Sequence, residues 1–63
     1  MPRVGELAQI RDPVTGAAKV YVFTGYFGGT EVWEETATGF QIRLTRGERE
    51  RLFIGSVGGG TGP

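Results

Sequence analysis

Apolar and polar side chains alternate with a period of two along most of this chain, the pattern of strands buried on one face. Residues 6–11 set Glu6, Ala8 and Ile10 on one side and Leu7, Gln9 and Arg11 on the other. Residues 18–24, with Lys19-Val-Tyr-Val-Phe-Thr24 at their centre, are dense in the β-branched and aromatic types that suit a pleated surface. Residues 31–35 predict a third strand, and residues 40–44, Phe-Gln-Ile-Arg-Leu, a strictly alternating fourth.

The segments between these runs carry turn chemistry. Asp12-Pro13-Val14-Thr15-Gly16 is the clearest. An aspartate at the first position can accept backbone N–H bonds, proline pre-sets φ at the second, and Gly16 supplies the positive φ of a bulged exit. Gly25 permits a bend or bulge ahead of Tyr26 and Phe27, Gly28-Gly29-Thr30 predicts a second turn, and residues 36–39 a third.

Residues 45–51 admit two readings. Thr45 and Glu48 match a capping box, which predicts a short helical turn near 46–51. A three-residue loop around Arg46-Gly47 predicts instead a hairpin into a fifth strand over 51–57, with Ile42 opposite Leu52 and Phe40 opposite Ile54. That register places Arg43 against Arg51, a like-charge cost. Because register follows the buried face, the hairpin is the preferred expectation.

Short strands at this spacing, joined by glycine-bearing turns, predict an all-β fold: a small antiparallel barrel or meander of four to five strands. Over residues 5–57 the architecture resembles the broad group of small SH3-like barrels, on its meandering strands, its tight Asp-Pro-x-Thr-Gly hairpin and its short last strand. That resemblance implies a fold and no activity. Residues 1–57 form the expected single domain; residues 58–63, Gly-Gly-Gly-Thr-Gly-Pro, are expected to be a flexible or docking tail.

Composition narrows the chemistry. Twelve of 63 residues are glycine, against an ordinary share of about 7%, and each adds backbone entropy to be lost on folding. A chain this short buries only about 60% of its unfolded surface, which favours a fold completed by a partner. With neither cysteine nor histidine, disulfides, thiolate zinc sites and imidazole catalysis are excluded. The carboxylates are scattered, and Glu34 and Glu35 as strand neighbours point to opposite faces. No catalytic residue, metal site, cofactor or small-molecule substrate is therefore expected. The longest apolar run, residues 20–23, is far short of the roughly 18 residues that span a bilayer. No membrane contact is expected, and the default location is cytoplasmic.

Two surfaces are candidates for binding. Val20 and Val22 face one way and Tyr21 and Phe23 the other, so the second strand is apolar on both sides. An exposed Tyr21, Phe23, Tyr26, Phe27 and Trp33 would make a protein interface. Arg43, Arg46, Arg49 and Arg51 could contact an anionic partner, although Glu48 and Glu50 interleave with them and the net charge of the chain is zero. The first expectation is a non-enzymatic structural protein that docks into a larger assembly, through a protein partner or its own copies. An accessory virion protein, decorating or cementing a capsid or joining head and tail, is the preferred assembly. The alternative is a small nucleic-acid- or polymerase-associated regulatory barrel using the arginines.

Overall fold

The 12–16 turn forms as its residue types require. In the computed structural model, which describes residues 2–57, Asp12 Oδ1 accepts the backbone N–H groups of Val14 (2.7 Å) and Thr15 (3.2 Å). The Gly16 N–H closes the turn on the Asp12 carbonyl at 2.8 Å, with Gly16 at a φ of 78°. The turn joins β1 (Leu7–Arg11) to β2 (Ala18–Phe27), and β3 (Thr30–Glu35) and β4 (Gln41–Leu44) follow by further hairpins. Helix α1 (Arg46–Leu52) then leads to β5 (Phe53–Ser56).

All five strands form one antiparallel sheet in the order β4-β3-β2-β1-β5. The fold is the expected all-β meander of short strands, and the sheet stays open rather than closing into a barrel. The core lies on one face, which we call the inner face: Ala8, Ile10, Tyr21, Phe23, Trp33 and Leu44 are buried, with Ile42 and Leu52 packed against them. Cross-strand register sets these side chains in rows, Ala8 beside Tyr21 beside Glu35, and Phe23 beside Trp33 beside Ile42. The Phe23 ring lies 5.1 Å from that of Trp33 and meets Tyr26 edge-on at 5.2 Å, spacings at which aromatic pairs add to simple burial.

Tyr26 reaches that face because of a bulge. The β2–β3 register slips between Phe23 and Gly25, so the alternation is reset there. Tyr26 comes opposite Glu31 and Phe27 opposite Thr30. Gly25 takes a φ of 140° at the bulge, a backbone conformation that strains residues carrying a Cβ.

The preferred hairpin over residues 45–51 is corrected. Residues 46–52 are helical, Ile42 faces Trp33 rather than Leu52, and β5 pairs with β1, not with β4. The capping box explains the outcome: Thr45 Oγ1 accepts the Glu48 N–H at 3.1 Å, and Glu48 Oε1 accepts the Thr45 N–H at 2.9 Å. The helix also avoids the Arg43–Arg51 opposition and gives Arg46 a carboxylate one turn on, Glu50, at 3.4 Å. It packs against both β1 and β4, and so bridges the two sides of the open sheet. The expected tail, 58–63, lies outside the described residues.

Thr45 is exposed, so Thr45→Ala removes the cap without disturbing the core. The expected loss is about 1 kcal/mol, read in urea as a lower midpoint at unchanged slope. An unchanged midpoint would mean that the cap does not hold α1.

Candidate functional site

The aromatic residues divide between core and surface. Tyr21, Phe23 and Trp33 are 1%, 2% and 1% exposed. The expectation that they lie on an exposed patch is therefore corrected: the larger side chains of β2 face inward, and the smaller Val20 and Val22 face outward. Tyr26 and Phe27 are exposed, the first packed on Phe23 and the second on the opposite face of the sheet.

That opposite face, the outer one, is the surface left without cover by the described residues. Leu7 on β1 lies directly across from Val22 on β2, with Val20 two residues away and Val32 on β3; all four are half-buried. At the β2–β3 end the Arg43 guanidinium stacks 4.4 Å from the centre of the Phe27 ring, a cation–π contact. A shallow hollow of about 260 Å³ lies there, bounded by Thr24, Tyr26, Phe27, Val32, Gln41 and Arg43. Glu34, also on the outer face, accepts from Gln41 at 3.4 Å. The face thus carries an apolar strip with charges of both signs around it.

The four arginines do not form one basic surface. Arg49 turns inward: its Nε donates to Glu31 Oε1 at 3.0 Å and its Nη2 to Oε2 at 3.3 Å. Arg46 pairs with Glu50, Arg43 lies over Phe27, and Arg51 is exposed on α1. A larger cleft of about 440 Å³ runs between the helix and the β2–β3 turn, lined by Pro2, Tyr26, Gly29, Glu31, Arg46, Arg49 and Glu50. Its charges are already matched within the chain, so it offers no surplus to an anion.

The carboxylates of the inner face also have partners. Glu31 is 3% exposed and accepts, besides the two bonds from Arg49, the Trp33 indole N–H at 3.0 Å. Glu35 accepts from Thr38 Oγ1 at 3.0 Å and lies 3.7 Å from Lys19 Nζ. Lys19 in turn bonds Asp12 Oδ2 at 3.1 Å. Glu34 and Glu35 are on opposite faces, as their spacing requires. The buried Glu31 was the residue missed by sequence reasoning. Its signal was its alternation with Trp33, which places a carboxylate on the core face and demands a donor there.

No family model matches the chain, and no curated protein or solved structure is significantly similar to it. Its reading therefore rests on its own residues. Among the described residues, no helix is long and apolar enough to cross a membrane.

The polar cluster makes stability depend on pH in two windows. The Val14 N–H, then the Lys19 ammonium and the Thr15 N–H, hold the Asp12 carboxyl below its usual 3.8. That contribution is complete above the unfolded value and is lost as the pH falls through the lowered one. Burial raises the Tyr21 phenol above 10.0, and the hydrogen bond to Asp12 raises Lys19 above 10.5. Those contributions hold below the unfolded values and are lost as the pH rises through the raised ones. Thermal midpoints should fall below about pH 4 and above about pH 10. Asp12→Asn should flatten the acid limb and Tyr21→Phe the alkaline limb; limbs that the variants leave unaltered would assign the dependence to other groups.

Proposed function

We propose that this chain is a non-enzymatic docking module, a structural subunit that seats the outer face of its sheet against a protein in a larger assembly. The observation that carries this reading is the apolar strip of Leu7, Val20, Val22 and Val32. The core is already assembled on the other face, and an antiparallel sheet that buries one side ordinarily presents polar residues on the second. Leu7 and Val22 paired across strands, with Val20 and Val32 on the same face, make apolar surface of the kind that marks an interaction site. Charges of both signs around it, Arg43 and Arg11 with Glu34, suit a protein partner better than a polyanion. The partnered state of the inner carboxylates supports a structural role for them rather than acid–base chemistry. The assembly we infer is a virion, in which the subunit decorates or cements a capsid or joins head to tail, in keeping with a 63-residue chain of zero net charge.

A benzophenone photo-crosslinker placed at Val22 tests the reading in the cell of origin. It is expected to yield a discrete adduct with a protein of the assembly, and the same probe at Glu48, on the exposed side of α1, none. Failure to form an adduct at both Val22 and Val32 would overturn it. Salt-dependent binding of an RNA or DNA strand, weakened by Arg43→Ala with Arg51→Ala, would replace it with the nucleic-acid reading.

A further inference from the structure

We infer that the protein seated on the outer face presents a side-chain carboxylate to Arg43, set among its own apolar residues, and that Phe27 holds the guanidinium ready for it. The inference rests on the docking reading above and names the chemistry of the partner at one end of the strip.

The arginines differ in what their N–H groups already do. Arg49 spends two on Glu31, Arg46 bonds Glu50, and Arg11 donates to the Gly16 carbonyl at 3.2 Å. Arg43 does none of this. Its guanidinium lies 4.4 Å from the centre of the Phe27 ring, and no carboxylate among the described residues pairs with it. Glu34 is on the same face but accepts from Gln41, its neighbour across the β3–β4 ladder. Arg3 and Arg51 also lack a carboxylate, yet neither is on the sheet. A guanidinium carries five N–H groups in its plane, and a ring against its flat side uses none of them. The planar fork is pre-organised, so little freedom is lost when an acceptor arrives.

The position of Arg43 makes an acceptor necessary. It pairs across strands with Val32, and the two line the hollow of about 260 Å³ together with Phe27. A partner that covers Val32 and Phe27 therefore takes Arg43 out of water as well. A cation buried without a counter-charge carries a desolvation penalty that offsets the gain from the apolar contacts. A carboxylate accepting two of its N–H groups relieves that penalty and fixes the partner's register. The hollow has room for the end of an acidic side chain, since a single water takes up only about 30 Å³. A nucleic-acid strand fits this setting poorly. It brings a charge at every phosphate, whereas the face offers one unpaired cation among apolar side chains, with Glu34 close by in the ladder.

The photo-crosslinker at Val22, combined with changes at Arg43 and Phe27, tests the inference in the cell of origin. Arg43 is exposed, so its variants should stay folded, which their urea midpoints check. Arg43→Met is expected to lower the yield of the parent's adduct about tenfold or more. Arg43→Lys keeps the charge without the planar fork, and Phe27→Leu leaves the arginine unstacked; both should fall between. Mass spectrometry of the parent adduct should place an aspartate or glutamate in the cross-linked segment of the partner. Exchanging that residue for lysine should restore the adduct to Arg43→Glu. An adduct indifferent to Arg43→Met, a cross-linked segment without a carboxylate, or a charge exchange that restores nothing would overturn the inference and leave the docking reading standing. No adduct from the parent at either Val22 or Val32 would remove both. An adduct with RNA or DNA in place of a protein would overturn the inference in favour of a polyanion.

Discussion

The carboxylate of Glu31 is the constraint around which the rest of this small structure is arranged. It lies on the core face of β3, its side chain 4% exposed, and burying an unpaired carboxylate costs several kcal/mol. Three donors offset that penalty, the Trp33 indole N–H and two N–H groups of the Arg49 guanidinium. Trp33 is a strand neighbour and reaches Glu31 from the same face. Arg49 is eighteen residues away, and only a chain that turns back over the sheet can deliver it. Helix α1 has no fully buried residue, and of its apolar side chains Leu52 alone packs against the core. The ion pair supplies the other anchor. Once Arg49 is docked, Leu52 falls against the core, and the chain emerges beside β1, where β5 then pairs.

This economy makes the molecule one-sided. Tyr21, Phe23, Trp33 and the buried polar groups are gathered on the inner face, and the smaller aliphatic residues of β1, β2 and β3 are left outside. With six hydrophobic side chains buried among the described residues, a domain of this size has a thin margin of stability, of the order of 3–5 kcal/mol. Surface that remains apolar outside such a core is available for association, and burial against a partner would add directly to that margin. The outer face is a surface of this kind.

Much of the fold was legible in the residues. Asp12, Pro13 and Gly16 fixed the first turn because each restricts the backbone or its hydrogen bonds in one particular way. Ala8 and Ile10 were assigned to a common face by period alone, and the role of Gly25 as a bulge was readable from its place ahead of two aromatics. Periodicity, however, cannot say which face of an alternating strand is buried. For β2 the decision went to volume: Tyr21 and Phe23 fill the space between strands better than Val20 and Val22 do. The segment after β4 was misjudged for a related reason. Matching Ile42 and Phe40 to Leu52 and Ile54 gave the hairpin an apparent apolar advantage, whereas the helix was favoured by the local Thr45–Glu48 cap and by a long-range bond between Arg49 and Glu31. Sequence spacing carries the first of these and is silent on the second. The same silence dispersed the candidate basic surface: four arginines close in sequence point to a buried carboxylate, a helix neighbour, an aromatic ring and solvent.

A double-mutant cycle on Glu31 and Arg49 tests most directly whether one buried pair holds the helix to the sheet. Stabilities of the parent, Glu31→Gln, Arg49→Met and the double variant would be measured by urea denaturation. A coupling energy of about 1–3 kcal/mol is expected, since the pair is charged, doubly hydrogen-bonded and largely removed from water. Either single change should destabilise more than a surface substitution, because each leaves a buried group without its partner. Effects that add to within about 0.5 kcal/mol would contradict the account, showing that α1 is held in place by its own cap and by Leu52.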